Sequence, residues 1–165
     1  NIGSIPESLN LAALWDLPIC FFIENNGYAV STTLEEETRE TRLSSRGLAY
    51  GIPSFKVDGM DPIAVRVAAQ EAVDLMRAGN GPVIIEANVY RYFHHGGGIP
   101  GSAFGYRDKD EEQEWRARDP LALLAREAIK RGSMERAMRQ CVPPLRKSCR
   151  ARPRSLRKPT ATSVR

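Results

Sequence analysis

The chain has 165 residues, 42% of them apolar, with 24 Lys and Arg against 20 Asp and Glu, a balance that fits one globular domain and excludes a collagen-like or acidic disordered chain. Its best apolar run, residues 17–23, contains a proline and ends at Glu24, well short of the roughly 18 to 20 apolar residues of a membrane helix, so a membrane span is excluded. Cys20, Cys141 and Cys149 are odd in number and not closely paired; they outline neither a disulfide framework nor a zinc site and point to a reducing, cytoplasmic compartment.

The chain opens at Asn1 rather than Met, with no basic segment and apolar h-region ahead of it, and so reads as a fragment or a processed chain, the fragment being preferred. Ser4 followed by Glu7, with Pro6 in the first turn, predicts a capped helix start, and Leu9, Ala12 and Ala13 carry the helix to an end near Asp16. Pro18 opens the run Ile19 to Ile23, which predicts a strand buried on both faces of a parallel sheet. Glu24, Asn25, Asn26 and Gly27 end it. A shorter strand is expected over residues 54–57. Asp61 and Pro62 then cap a helix in which Val65, Ala69, Ala72, Val73 and Met76 recur at helical spacing until the glycines at 79 and 81. Val83 to Val89 follows as a second buried strand. Strands alternating with helices indicate an α/β fold, an open parallel sheet with helices on both faces.

Such sheets bind ligands beyond the carboxyl ends of their strands. Two loops lie there, residues 24–33 and residues 91–119. In the first, Asn25-Asn26-Gly27 is a common turn former, and an Asn amide oxygen with a nearby carbonyl is also a hard donor pair for magnesium; spacing leaves both readings open. The second holds the only histidines, His94 and His95, beside Tyr90, Arg91 and Tyr92. Neighbouring side chains in an extended segment point opposite ways, so one histidine can face a given site, as a proton-transfer or anion-stabilising group. Glycines 96–98 start no helix and read as flexibility rather than a phosphate loop. Residues 108–115 read as a charged surface helix, and Asp119-Pro120 caps a last helix carrying Leu121, Leu123, Leu124 and Ala128.

Charge divides the chain. Residues 1–132 hold 14 Lys and Arg against 19 Asp and Glu, and residues 133–165 hold 10 against 1. The expected organisation is a domain part over 1–132 and a basic, disordered tail over 133–165, whose abrupt turn to Arg, Ser and Pro also fits a shifted reading frame. A polyanion-binding arm on an inactive assembly module is the alternative function, although no base-reading aromatics accompany the arginines, which argues against nucleic acid.

The runs NIGSIPESLNLAALWDLPICFFIENNGYAVST, RGLAYGIPSFKVDGMDPIAV, GPVIIEANVYRYFHH and GYRDKDEEQEWRARDPL resemble, over residues 1–131, the alpha subunit of thiamine-diphosphate-dependent 2-oxo acid dehydrogenases, the family of pyruvate, branched-chain 2-oxo acid and acetoin dehydrogenases. The resemblance implies an incomplete thiamine-diphosphate-binding fold and a cytoplasmic oxidoreductase component that binds thiamine diphosphate and Mg2+. It implies metal binding by the Asn26 side chain and the Tyr28 carbonyl, and a catalytic, cofactor-facing His95 with His94 in reserve. It further implies a heterotetramer with a beta subunit, which supplies the other half of the site, and acyl transfer to the lipoyl domain of the acyltransferase component. The family's Gly-Asp-Gly, with its metal-binding aspartate, would precede Asn1, so the isolated chain is expected to bind the cofactor weakly or not at all and to be inactive. Gly96 stands where animal members carry a regulatory serine.

Overall fold

The computed structural model describes residues 2–132; the expectations for residues 133–165 lie outside them, as do Cys141 and Cys149. Residues up to Glu127 form one compact unit, and the chain from Ala128 belongs to a second.

The first helix, α1 (Ser4–Leu14), buries Leu9 and Ala12 on one side. The expected serine cap is not made. Gly3 takes the cap position with helical backbone angles and no side-chain hydrogen bond, so Ser4 already lies inside the helix and its hydroxyl is misplaced for capping. Glu7 still stands in the first turn, where a negative charge complements the helix dipole. Asp16 closes the helix in the left-handed region, φ 49°, a conformation Asp tolerates better than most residues.

Strand β1 (Cys20–Asn25) is followed by a hairpin of β2 (Tyr28–Ala29) and β3 (Thr32–Thr33), then a single-turn helix α2 (Leu34–Glu37) with a Thr33–Glu36 capping box, and a 3-10 segment (Leu43–Tyr50). Next come β4 (Ser54–Asp58), α3 (Pro62–Arg77) and β5 (Val83–Asn88). A second 3-10 segment (Gly101–Phe104), α4 (Lys109–Ala117) and α5 (Pro120–Lys130) complete the described residues. Asp61 accepts from the Ile63 and Ala64 N–H groups and Asp119 from those of Leu121 and Ala122, as the two Asp-Pro pairs predict. Among these residues no helix is long and apolar enough to cross a membrane.

The sheet order is β1-β5-β4, every pairing parallel. Central β5 carries the core: Val83, Ile84, Ile85, Glu86 and Ala87 are at most 1% exposed. Residues alternate between faces. Ile84 packs with Leu9 of α1, Ile52, Phe21 and Ile23 on one face. Val83 and Ile85 pack with Ala72 of α3, Phe55 and Val57 on the other. Burial of each such side chain contributes about 1.5–3 kcal/mol. Helices therefore cover both faces, and the α/β parallel architecture is as expected.

Strand β1 departs from expectation. It is an edge strand, and its burial alternates, leaving Cys20 exposed and Phe22 at 45% exposure. Among the described residues α3 lies over β4 and β5, while Phe22 of β1 stays exposed to solvent.

The three strands end in register, Asn25 beside Asn88 beside Asp58. Val89 N–H donates to the Asn25 carbonyl at 2.9 Å and Gly59 N–H to the Asn88 carbonyl at 2.7 Å. Backbone passes so closely here that a Cβ on Gly59 would stand 2.5 Å from Val89 Cγ1 and 2.8 Å from the Asn88 carbonyl oxygen. The loops after β1 and β5 thus emerge side by side.

Candidate active site at the carboxyl ends of the strands

The turn after β1 is built by its own asparagines. Asn25 Oδ1 accepts from Gly27 N–H at 3.0 Å and Asn26 Oδ1 from Tyr28 N–H at 3.1 Å, with Gly27 at φ 76°, where glycine meets no Cβ penalty. The turn reading and the donor reading are compatible, because an amide oxygen has a second lone pair. The hairpin register bears on the other donor. Leu34 N–H donates to the Gly27 carbonyl at 2.9 Å, which makes 27 and 34 a hydrogen-bonded pair. Tyr28 opposite Thr33 is then a non-bonded pair, so the Tyr28 carbonyl turns away from β3. Asn26 and Tyr28 thus offer two neutral hard oxygens within one turn, a donor set that suits magnesium shared with a diphosphate. Among the described residues no three His, Cys, Asp or Glu side chains gather as a metal cluster.

Behind the turn stands Glu86, which the sequence reading did not single out. It is fully buried, with Oε1 accepting from Asn25 Nδ2 at 2.8 Å and Oε2 from Ser44 N–H at 2.7 Å. Burial by itself raises its pKa; the Ser44 N–H, the Asn25 amide and the charge of Lys56 together outweigh burial and hold the carboxyl below its usual range.

The turn is joined to the histidine loop through Arg107, another residue sequence reasoning missed. Arg107 is 4% exposed, and its guanidinium lies 4.4 and 4.5 Å from the ring centroids of Tyr28 and Tyr90. One nitrogen donates to the Asn26 carbonyl at 3.1 Å and another, at short range, to the Arg91 carbonyl. Tyr28 also meets Tyr106 edge to face at 5.4 Å and donates its hydroxyl to the Tyr106 carbonyl at 3.4 Å. Arg91 reaches back to the hairpin, donating to the Val30 carbonyl at 2.6 Å and to the Tyr106 hydroxyl at 3.2 Å. Val30 sits at φ 61°, an unfavourable angle for a β-branched residue, and this contact helps to hold it.

The two histidines part as expected for neighbours. His94 is half-buried, its ring 4.6 Å from that of Phe104 and 6.1 Å from that of Tyr106, with Nδ1 accepting from Gly96 N–H at 3.2 Å. His95 is exposed, and among the described residues no hydrogen bond or ring contact reaches it. The glycine run, read as flexibility, is a closed turn: His94 N–H donates to the Ile99 carbonyl at 2.8 Å and Gly97 N–H to the His94 carbonyl at 2.9 Å. Gly97 and Gly98 take positive φ and so permit the reversal. Further on, Glu112, 8% exposed, accepts from Ser102 Oγ at 2.8 Å and pairs with Arg116 at 2.7 Å, tying the loop to α4. Arg116 and then Ser102 lower its pKa. The structure brings Asn26, Tyr28 and the histidine loop together, while His95 makes no contact with the turn.

Comparison with known proteins follows the same residues. The family model described as dehydrogenase E1 component matches residues 1–150, past residue 131 where the motif resemblance ended. The chain is 46% identical over 122 residues to the pyruvate dehydrogenase E1 component subunit alpha of Rhizobium meliloti, covering 73% of this chain and 34% of that protein. The protein of the same name from Zymomonas mobilis is 43% identical over 136 residues, 82% of this chain and 38% of its own length. That from Porphyra purpurea is 38% identical over 129 residues, 78% and 37% respectively. The chain spans about a third of the length of the relatives it matches.

Proposed function

The chain belongs to the dehydrogenase E1 component family, and on that premise we propose that it supplies the alpha half of a thiamine-diphosphate site in a 2-oxo acid dehydrogenase. The observation that carries this reading is the Asn25–Tyr28 turn, which carries the Asn26 Oδ1 and Tyr28 carbonyl oxygens and is tied through the Asn26 main-chain carbonyl to Arg107, and so to the loop bearing the histidines. Asn26, through Oδ1, and Tyr28, through its carbonyl, would hold Mg2+ against the diphosphate. Thiamine diphosphate supplies, when bound, the carbanion chemistry that releases carbon dioxide from a 2-oxo acid or cleaves acetoin.

This chain's own residues bind and orient. The Glu86–Asn25 bond and the Arg107 clamp hold the donor turn in place, and the closed glycine turn presents His95 outward on the same loop that packs His94 inward. His95, free of internal partners, would hold or deliver a proton at the substrate's carbonyl oxygen. His94, packed on Phe104, would shape the loop. A beta subunit, completing a heterotetramer, would bring the remaining half of the site, and the acyl unit would pass to a lipoyl domain of the acyltransferase component. The setting proposed is the cytoplasm. Residues 1–132 would be the domain part, with residues 133–165 as a basic appendage.

Calorimetric titration of the alpha–beta assembly with thiamine diphosphate and Mg2+ tests the reading. Asn26→Ala is expected to weaken Mg2+-dependent binding about ten- to a hundredfold, and Asn25→Ala less. Undiminished binding by Asn26→Ala would show the metal placed wrongly.

A further inference from the structure

Glu86 poses a problem of chemistry that its surroundings answer. Carboxylates are almost never fully buried unless paired, yet Glu86 is 0% exposed at the centre of the sheet, and among the described residues no ion pair reaches it. Its hydrogen-bonding partners are neutral and come from distant stretches, Asn25 Nδ2 and the N–H and side chain of Ser44, with the Lys56 charge acting from the neighbouring strand. An ionised carboxylate only accepts hydrogen bonds, whereas an Asn amide has one donating and one accepting end. Glu86 therefore dictates which way the Asn25 amide faces: Nδ2 toward the carboxylate, Oδ1 toward Gly27 N–H at 3.0 Å. The bond to Gly27 sets the entry of the turn, and the next two residues along are Asn26 and Tyr28.

We propose that Glu86 is the positioning residue of the cation-binding turn, selecting the Asn25 amide orientation and through it the placement of the Asn26 and Tyr28 oxygens. The proposal rests on the reading of that turn as the Mg2+-diphosphate site. The turn's two oxygens are neutral, so the buried negative charge one side chain behind them also favours a divalent cation over an empty turn. Ser44 extends the same control to the 3-10 segment over residues 43–50, which is held at its start by the other oxygen of the one carboxylate.

The test is nuclear magnetic resonance of the 15N-labelled chain assembled with a beta subunit and titrated with Mn2+ in the presence of thiamine diphosphate, where paramagnetic broadening registers even weak binding. In the wild type, the amide signals of Asn26 and Tyr28 broaden first. Glu86→Gln, equal in shape but with a donating end, raises the Mn2+ needed for half-broadening about tenfold, less than Asn26→Ala does, while the α3 amides keep their shifts. Asn25→Ala, which cuts the same link from its accessible end, produces a similar loss, and the double variant loses no more than either single one. If Glu86→Gln disturbs the α3 signals, Asn25→Ala carries the comparison. Unchanged half-broadening in Glu86→Gln and Asn25→Ala, with loss in Asn26→Ala, overturns the positioning role alone; so do additive losses in the double variant. Absence of broadening in the wild type, or unaltered broadening in Asn26→Ala, overturns the cation-site reading and this proposal with it.

Discussion

Replacing Arg107 by Ala removes the clamp between the donor turn and the histidine loop, and its cost can be worked from the contacts. The guanidinium makes two hydrogen bonds to carbonyls, those of Asn26 and Arg91, and bonds from a charged donor contribute about 1.5–3 kcal/mol each. Its place near Tyr28 and Tyr90 adds about 0.5–2 kcal/mol of cation–π attraction. Against this stands the burial of a charged group whose Nε has no partner, a penalty of about 1–3 kcal/mol. The net expectation is a loss of about 3 kcal/mol, which for a unit of this size lowers Tm by about 10–15 °C. Thermal unfolding followed by circular dichroism measures it. Arg107→Lys keeps the charge but not the planar fork that spans two carbonyls, and should lose about half as much. A fall of less than about 3 °C for Arg107→Ala, or a lysine as good as the arginine, would refute the clamp.

In the alpha–beta assembly, His95→Ala should lower the rate of 2-oxo acid decarboxylation about 100-fold or more with Tm unchanged, as for a proton-transfer group with no packing partners; His94→Ala should instead lower Tm through lost contact with Phe104, and a greater rate loss at His94 would move the role to it. Because Glu86 has a lowered pKa in the folded chain, its contribution to stability is present above the unfolded carboxyl value of about 4.3 and is lost as pH falls toward the lower folded value. Urea midpoints between pH 3 and 6 should accordingly be flatter in Glu86→Gln than in the wild type. Gly59→Ala places a Cβ 2.5 Å from Val89 Cγ1 and 2.8 Å from the Asn88 carbonyl oxygen and should destabilise by about 1–3 kcal/mol in urea unfolding, since a new rotamer of Val89 would relieve the first clash but not the second, which is with backbone.

Much of the architecture was legible locally. Asp61-Pro62 and Asp119-Pro120 predict their helices because a cap is made within three residues of itself, and the run over residues 83–89 reads as a core strand because Val83, Ile84, Ile85, Ala87 and Val89 in it are apolar, the strand itself covering Val83–Asn88. The same locality failed at Ser4, where the cap depends on whether Gly3 enters the helix, and at the glycines 96–98, where turn closure depends on a bond from His94 to Ile99. It failed also at β1, since an apolar run reports that residues prefer burial and not which of its faces a neighbour covers.

From sequence alone came the main helices and strands, their α/β order and the Asn25-Asn26-Gly27 turn, because each is written in residues a few positions apart; Asn26, Tyr28 and His95 as site residues came from the family resemblance of the surrounding motifs. Tertiary structure alone decided that Glu86 and Arg107 are buried and hydrogen-bonded to the Asn25–Tyr28 turn. Their partners lie far along the chain: Asn25 is 61 residues from Glu86, Ser44 is 42, and Asn26 is 81 from Arg107. A Glu or Arg is by composition a surface residue; what makes either stable inside is a set of hydrogen-bonding groups delivered by separate strands and loops, and only the folded chain brings those groups to one place.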